Sequence, residues 1–448
     1  MRKSSIAVAA LLLTVAGGCN DFLDSPKAVN DPNNPTKAST TQLFEGVLAN
    51  TFANQEGPVA MIICQWMQQC AGVNGRFVET QDNYTIDAST FDISFQNIYN
   101  GGGLIGLRAI ESQTAASGDK LYLGIAEVLE AMNMTFAADI WGDVPYSQAV
   151  TDSLTPAFDP QLQVYASLLT LLDKGIADLA AGGTGPGAAD LVYGGDAAKW
   201  TQAAHTLKAR IYLHQVEKLG NAQYTNALNE AKKGISTPAN DWLAAHSSNT
   251  SERNMWAQFA NTSFGPDLVA GSALVKLMVA QNDPRLGKYF QKNGSGAFVG
   301  FDVSTGTPDV ATISALNTDA TYSQPIITYD ETQLIIAEAA LQTGDRTTAG
   351  TAFNAERTHV GKPAIAGSAL SLNDVMTEKY ITLFQNPEVW NDYKRTCLPA
   401  LKPARNRSKI PGRVYYGQTE EQTNSNTPSS SSQNLFTFRN ANDPNACQ

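Results

Sequence analysis

Charge is scarce in this sequence. Only 16% of its residues are Asp, Glu, Lys or Arg, against the usual quarter, and Asn, Gln, Ser and Thr fill the deficit. Such a composition suits a neutral polar ligand better than an ionic one. Positive charge is the scarcer sign. There are 31 Lys and Arg against 42 Asp and Glu, a net charge of −11, which argues against a basic nucleic-acid-binding face. Histidine is scarcer still. The four histidines, His205, His214, His246 and His359, show no metal-ligand spacing, and neither HExxH nor GxSxG occurs. After Val15 no apolar run is long enough to cross a bilayer, which takes about 20 residues. Catalytic motifs, metal sites, cofactor sites and membrane spans thus all lack a sequence signal, and no cofactor is expected.

The opening stretch is informative. Arg2 and Lys3 precede an apolar run from Ile6 to Val15, and Ala16, Gly17 and Gly18 lead into Cys19. A basic start, a short apolar core and small residues before a cleavage point predict a signal peptide over 1–18. The placement of Cys19 predicts cleavage before it and lipidation of its thiol and amine, although Ala16 stands where such sites usually carry Leu. Ordinary cleavage nearby, with Cys19 free or disulfide-bonded, is the plainer alternative. Residues 19–40 then form a lipid anchor and an extended spacer rich in Asp, Asn, Pro and Thr. Losing 1–18 removes two basic residues and no acid, so the mature chain is more acidic still. A lipidated product would be soluble and tethered.

Four further cysteines remain: Cys64, Cys70, Cys397 and Cys447. An exported chain with an even number suggests disulfides, with three possible connectivities. Along a straight helix Cys64 and Cys70 would stand about 9 Å apart, so bridging them requires the helix to end between them. Cys397 with Cys447 is the favoured pair, because it would pin a polar C-terminal tail.

Helical periodicity dominates the body. Phe44, Val47, Leu48 and Thr51/Phe52 fall at helical spacing, followed by an apolar segment from Val59 to Met67. Leu121, Ile125, Val128, Leu129, Met132, Phe136 and Ile140 predict a long amphipathic helix, and Tyr165, Leu168, Leu169, Leu172, Ile176 and Leu179 predict another. Asp196 is placed to cap the helix carrying Trp200, Leu207 and Ile211. Two helix pairs resemble each other, at about 207–235 and 334–361. Each has an Ala-bearing helix, a Gly turn (Gly220, Gly344) and a second helix with small residues: Ala227 and Ala231, or Ala349 and Ala352 beside Phe353. This is the tetratricopeptide pattern, in which small residues let paired helices pack closely and stack. Between the pairs, residues 238–323 turn rich in Asn, Ser, Gly and aromatics. This predicts a loop-rich insertion with few short strands, including a hairpin around Gly296–Val303. The stretch Gln418–Gln433 reads as an irregular surface segment. The fold class is therefore mainly α, with residues 41–448 as one body.

Three patterns tempt a catalytic reading. Gly101, Gly103 and Gly106 satisfy GxGxxG, but no strand precedes them and no βαβ context follows, so a helix junction is the better reading. Asp139 and Asp143 sit four apart, yet they flank Trp141-Gly142 where a helix ends, which points to loop hydrogen bonding. Aromatics in polar loops are better functional candidates, because rings cover the flat C–H faces of sugars while amides, carboxylates and Arg bond the hydroxyl rim. Arg76, Phe77 and Tyr84 lie in one such loop. Trp256, Phe259 and Phe264 lie in the insertion beside Asn254 and Gln258, and Tyr322 lies near Gln324. Trp66, Trp200 and Trp390 fall on apolar helical faces and are expected in the core.

Taken together, several phrases resemble the SusD/RagB family of outer-membrane lipoproteins. They are C-NDFLD-SP and DPNNPT after the signal, DIWGDVPYSQA (139–149), YGGDAAKW (193–200), DPRLGKYF (283–290), YDETQLIIAEAALQTGD, NPEVWNDYKRT (386–396) and RVYYGQTEEQTN (413–424). They occur in the family's order along nearly all of the mature chain. The resemblance implies a helical tetratricopeptide scaffold with a loop-rich face that holds the ligand. It implies a TonB-dependent, SusC-like barrel transporter as partner, and no catalysis. Asp21 and Asp24 just after Cys19 look like the family's signal for the outer face of the outer membrane. Its ligand residues follow no fixed motif, so none is carried over. The expected function is a surface lipoprotein that binds an oligomeric nutrient, a glycan in the first instance, and delivers it to the transporter. An oligopeptide ligand, an α-helical glycoside hydrolase and a pure assembly component are the alternatives.

Overall fold

The first helix, α1 (Thr40–Glu56), begins with a capping box. The Ser39 hydroxyl accepts from the Gln42 amide, and the Gln42 side chain accepts from the Ser39 amide. Its buried stripe includes Phe44, Val47, Leu48, Thr51 and Phe52, the residues whose spacing predicts it. Gly57 ends it, and Pro58 opens α2 (Pro58–Trp66), where a missing N–H costs nothing. The computed structural model describes residues 38–78, 84–404, 407–436 and 440–443. The expected signal peptide, Cys19, most of its spacer and Cys447 lie outside the described residues.

After β1 (Cys70–Gly72) come α3 (Asp92–Tyr99), α4 (Leu104–Ser117), α5 (Lys120–Trp141), the strand pair β2 (Val144–Pro145) and β3 (Phe158–Asp159), α6 (Gln161–Ala181), α7 (Ala197–His214) and α8 (Ala222–Ala231). Beyond the insertion lie α11 (Tyr329–Gln342), α12 (Arg346–His359), α13 (Leu372–Thr382) and α14 (Glu388–Thr396). The helices stack in succession: α1 on α4, α4 on α5, α5 on α6, α6 on α7, α7 on α8, α8 on α11, and α11 on both α12 and α13. This nearest-neighbour stacking is the expected helix-pair scaffold. Asp196 caps α7 as predicted, accepting from the Ala198 and Lys199 amides at 2.9 and 3.1 Å. The two look-alike pairs are α7–α8 and α11–α12, and they pack on each other. Ala209, Leu213, Ala227 and Ala231 share one buried cluster with Leu334, Ala337, Ala349, Ala352 and Phe353.

The glycine triplet at 101–103 joins α3 to α4, so the GxGxxG pattern marks a helix junction. A Cβ on Gly102 would lie 2.1 Å from the Gly46 carbonyl oxygen, so only glycine lets this turn sit against α1.

The insertion enters on β4 (Trp242–Ala244) and leaves on β8 (Gln324–Ile327), which pair antiparallel and close its neck. Between them lie α9 (Met255–Ala260), β5 (Leu268–Ala270), α10 (Ser272–Ala280), β6 (Phe290–Gln291) and β7 (Thr312–Ile313). With β1 they make one antiparallel sheet in the order β1-β5-β7-β6. The hairpin expected around Gly296–Val303 is not formed. The strands pair further out, Phe290 with Ile313 and Gln291 with Thr312. In between, Asp309 gathers the Gly294 amide and the Ser295 hydroxyl into a loop, and a single bridge joins Phe301 to Gly271. Part of the tail also differs from expectation, because Gln418–Thr423 forms a short helix, α15.

The disulfide at this sheet is Cys64–Cys70, with Cα atoms 5.2 Å apart. The condition set by helix geometry is met: α2 stops at Trp66, and Gln68 adopts a left-handed φ of 54°. That turn swings Cys70 back towards Cys64. The favoured pair cannot be followed. Cys397 is disulfide-bonded, and its expected partner, Cys447, lies outside the described residues.

The few charges are used inside. Glu338 pairs with Arg395 and Lys379, Arg210 pairs with Glu331, and all five are buried. On α14, Trp390 donates to the Pro411 carbonyl and meets Trp66 edge-on, Asn391 donates to Asp139 and Glu388, and Lys394 donates to the Asp139 carbonyl. The phrase NPEVWNDYKRT is thus a clasp between helices. The phrase DIWGDVPYSQA is a joint too: Trp141 donates to the Tyr415 carbonyl, and Asp143 accepts from the Gln161 amide at 2.8 Å. The interior thus holds many of the ionic groups.

Candidate ligand shelf

The antiparallel pairing of β1 and β5 decides which loops meet. Gly72 lies opposite Leu268, and the Val73 amide donates to the Asp267 carbonyl at 2.9 Å. The loop leaving β1 therefore runs beside the loop entering β5. The Cys64–Cys70 bridge fixes the root of the first loop to α2. Phe77 and Phe259 meet edge-to-face across the junction, with ring centroids 5.5 Å apart. Arg76 lies in the helical turn Gly75–Phe77.

Phe264 stands on the rim of the same junction and is 48% exposed. Its backbone is held in place. The Gly265 amide donates to Thr262, and the Asp267 amide donates to the Phe264 carbonyl. A Cβ on Gly265 would lie 2.2 Å from the Ala260 carbonyl oxygen, so glycine is required for the turn that presents the ring. Gln258 and Asn261 lie exposed beside it. The segment 316–322 also packs against α9, with Leu316 exposed and Tyr322 half-buried. Burial raises the phenol pKa of Tyr322, so it stays neutral.

Beneath the shelf Asn254 ties three elements together. Its side-chain oxygen caps α9 through the Trp256 and Ala257 amides, while its side-chain amide donates to Glu56 at 3.2 Å and to the Tyr322 carbonyl at 3.1 Å. Glu56 also pairs with His246 at 2.8 Å. Burial raises the Glu56 pKa although His246 opposes it. Burial would lower the His246 pKa, yet the Glu56 carboxylate raises it.

The predicted residues separate clearly. Phe77 and Phe264 lie on the two loops that meet there, with Phe259 against Phe77, and Tyr322 lies on the segment that Asn254 ties to α9. Tyr84 and Trp256 are buried instead. The Tyr84 ring is buried edge-on against Trp66, and its hydroxyl accepts from the Ala404 amide at 3.0 Å. Trp256 is buried in the core beneath α9. Both satisfy packing, as loop aromatics beside an apolar body often do. Trp66, Trp200 and Trp390 are fully buried as expected.

No histidine stands alone. His205 pairs with Glu230, His246 with Glu56 and His359 with Asp330. His214 sits between Asp139 at 2.9 Å and Glu388 at 2.7 Å. These three buried residues come close enough to suggest a metal site. Each ring nitrogen nevertheless faces its own carboxylate at ion-pair distance, which suits an imidazolium. Burial would lower the His214 pKa, but Asp139 and Glu388 more than reverse this and raise it to about 10. Asp139 is therefore committed to a buried ion pair rather than to the loop hydrogen bonding expected from the sequence.

A family model described as starch-binding and associating with the outer membrane matches residues 32–417, most of the chain. The chain belongs to the SusD-like family. No curated protein matches it. Among solved structures, a SusD/RagB family protein from Bacteroides thetaiotaomicron is similar at 22% identity with a TM-score of 0.71, covering 87% of this chain and 95% of that one. A chitin-binding SusD homolog from Flavobacterium johnsoniae is similar at 18% identity with a TM-score of 0.73, covering 90% and 99%. A further chitin-binding protein reaches a TM-score of 0.75 at 20% identity, covering 91% and 100%. At these identities the likeness establishes the SusD-like helical fold. Among the described residues no helix is long and apolar enough to cross a membrane.

Proposed function

We propose that this SusD-like chain is a lipoprotein anchored through Cys19 to the outer membrane and facing the cell exterior. There it binds an oligomeric nutrient, a glycan in the first instance, and delivers it to a TonB-dependent, SusC-like transporter. Binding, without catalysis, is its role. The observation that carries the glycan reading is the shelf: Phe264, half-exposed on a fixed turn, beside the Phe77–Phe259 pair and flanked by Gln258 and Asn261. An exposed ring such as Phe264 accepts the C–H face of a sugar, and the amides bond its hydroxyls. The low charged fraction of the sequence fits the same ligand, and two similar structures are of chitin-binding proteins. The helical stack gives the shelf a rigid support, and tethering raises the ligand concentration at the pore mouth.

The test is calorimetric titration of the full chain with neutral oligosaccharides and with oligopeptides, followed by product analysis. Saturable binding of a glycan that is recovered intact is the expected result. Peptide binding alone, or steady release of reducing ends, would overturn the reading.

A further inference from the structure

The wall behind the shelf has a second face. Against α9 lies a cleft of about 460 Å³, within the range of small-molecule sites. It is bounded by α1, by the segment 245–253 and by α9. Leu48, Ala49, Phe52, Leu191 and Met255 supply its apolar surface, while Glu45, Glu56, His246, Glu252, Arg253 and Gln258 add charged and polar groups. Leu191 is 60% exposed, an apolar side chain held at the mouth. Met255 and Gln258 belong to the helix whose Phe259 forms the shelf, so cleft and shelf share α9.

We infer that this cleft is a subsite for an acyl-bearing sugar unit, N- or O-acylated, of the glycan lying on the shelf. The inference rests on the glycan reading and deepens it. A bare sugar ring wants a flat aromatic and many polar partners, as the shelf provides. The cleft adds methyl, methylene and thioether groups among its polar ones, and its phenyl ring, Phe52, is only 5% exposed. An acyl methyl group fits those walls, while the sugar's hydroxyls remain within reach of the rim amide and guanidinium.

The experiment titrates the full chain, purified in detergent, with a β-1,4-linked N-acetylglucosamine trimer and with the matching β-1,4-linked glucose trimer. Tighter binding of the acylated trimer is expected, by about fourfold for each methyl group buried. Ala49→Trp, on the exposed side of α1, fills the cleft and should bring the ratio of affinities close to one while leaving the glucose trimer unaffected. Leu191→Ser, which removes one apolar wall, should lower the ratio part-way. Phe264→Ala should weaken both trimers by the same factor and keep the ratio. Equal binding of the two trimers by the unaltered chain, or an unchanged ratio in Ala49→Trp, overturns the subsite and leaves the shelf standing. Failure of both trimers and of all other glycans to bind overturns the shelf as well. Equally tight, Ala49→Trp-sensitive binding of N-acetyl-trialanine overturns the assignment to a sugar.

Discussion

Replacing Phe264 with alanine removes the ring from the shelf and little else. A phenylalanine side chain offers about 200 Å² of surface. Phe264 is 48% exposed, which leaves about 100 Å² for a ligand. A sugar ring that covers half to all of this removes roughly 50–100 Å² from water. At about 25 cal/mol per Å² the ring contributes about 1.3–2.5 kcal/mol, a rise in Kd of roughly 8-fold to 60-fold on its loss. The turn itself depends on Gly265 and on backbone hydrogen bonds, so the alanine variant should keep its fold and melting temperature. Calorimetry with the best-binding glycan, alongside thermal unfolding, gives both numbers. An unchanged Kd at an unchanged melting temperature would refute the shelf.

Other consequences follow from the same contacts. The raised pKa of His214, about 10 against 6.5, means that its ion pairs contribute fully to stability below about pH 6.5 and are lost as pH rises through about 10. His214→Gln should cost about 3–5 kcal/mol at neutral pH, the cost of breaking a buried ion pair, and should flatten the alkaline decline in denaturant midpoint. An unaltered midpoint profile would contradict the pairing. Cys64→Ser with Cys70→Ser opens a short loop closure worth about 2 kcal/mol. It should lower the melting temperature and also weaken glycan binding, because the loop root loosens; unchanged binding would show that the bridge does not position the shelf. Cys19→Ala should release the protein from membranes in cells lacking the transporter, and unchanged retention there would refute lipidation.

Periodicity along the chain carried most of the scaffold. The stripe from Leu121 to Ile140 and the cap at Asp196 are local signals, and local physics decides them. The helix pairs at 207–235 and 334–361 could be matched because small residues recur where helices touch. The disulfide was harder. Whether Cys64 reaches Cys70 depends on a left-handed residue at Gln68, and glutamine carries no mark of that conformation. The sequence also cannot separate Tyr84 and Trp256 from Phe264, since all three are aromatics in polar surroundings. Only the third dimension puts two of them under the body and one on a rim. Asp139, His214 and Glu388 are far apart along the chain and meet only through the packing of α5, α7 and α14. The phrases that resemble the family map onto such joints, Trp141 and Trp390 above all. They therefore identify the fold better than the ligand.

Capture of a glycan is the function on which everything above depends. A titration of the purified full chain against a panel of neutral oligosaccharides, with oligopeptides in parallel, tests it most directly. Saturable binding of at least one oligosaccharide, weakened in Phe264→Ala, and no binding of peptides are expected. Saturation by peptides with no oligosaccharide bound would contradict it.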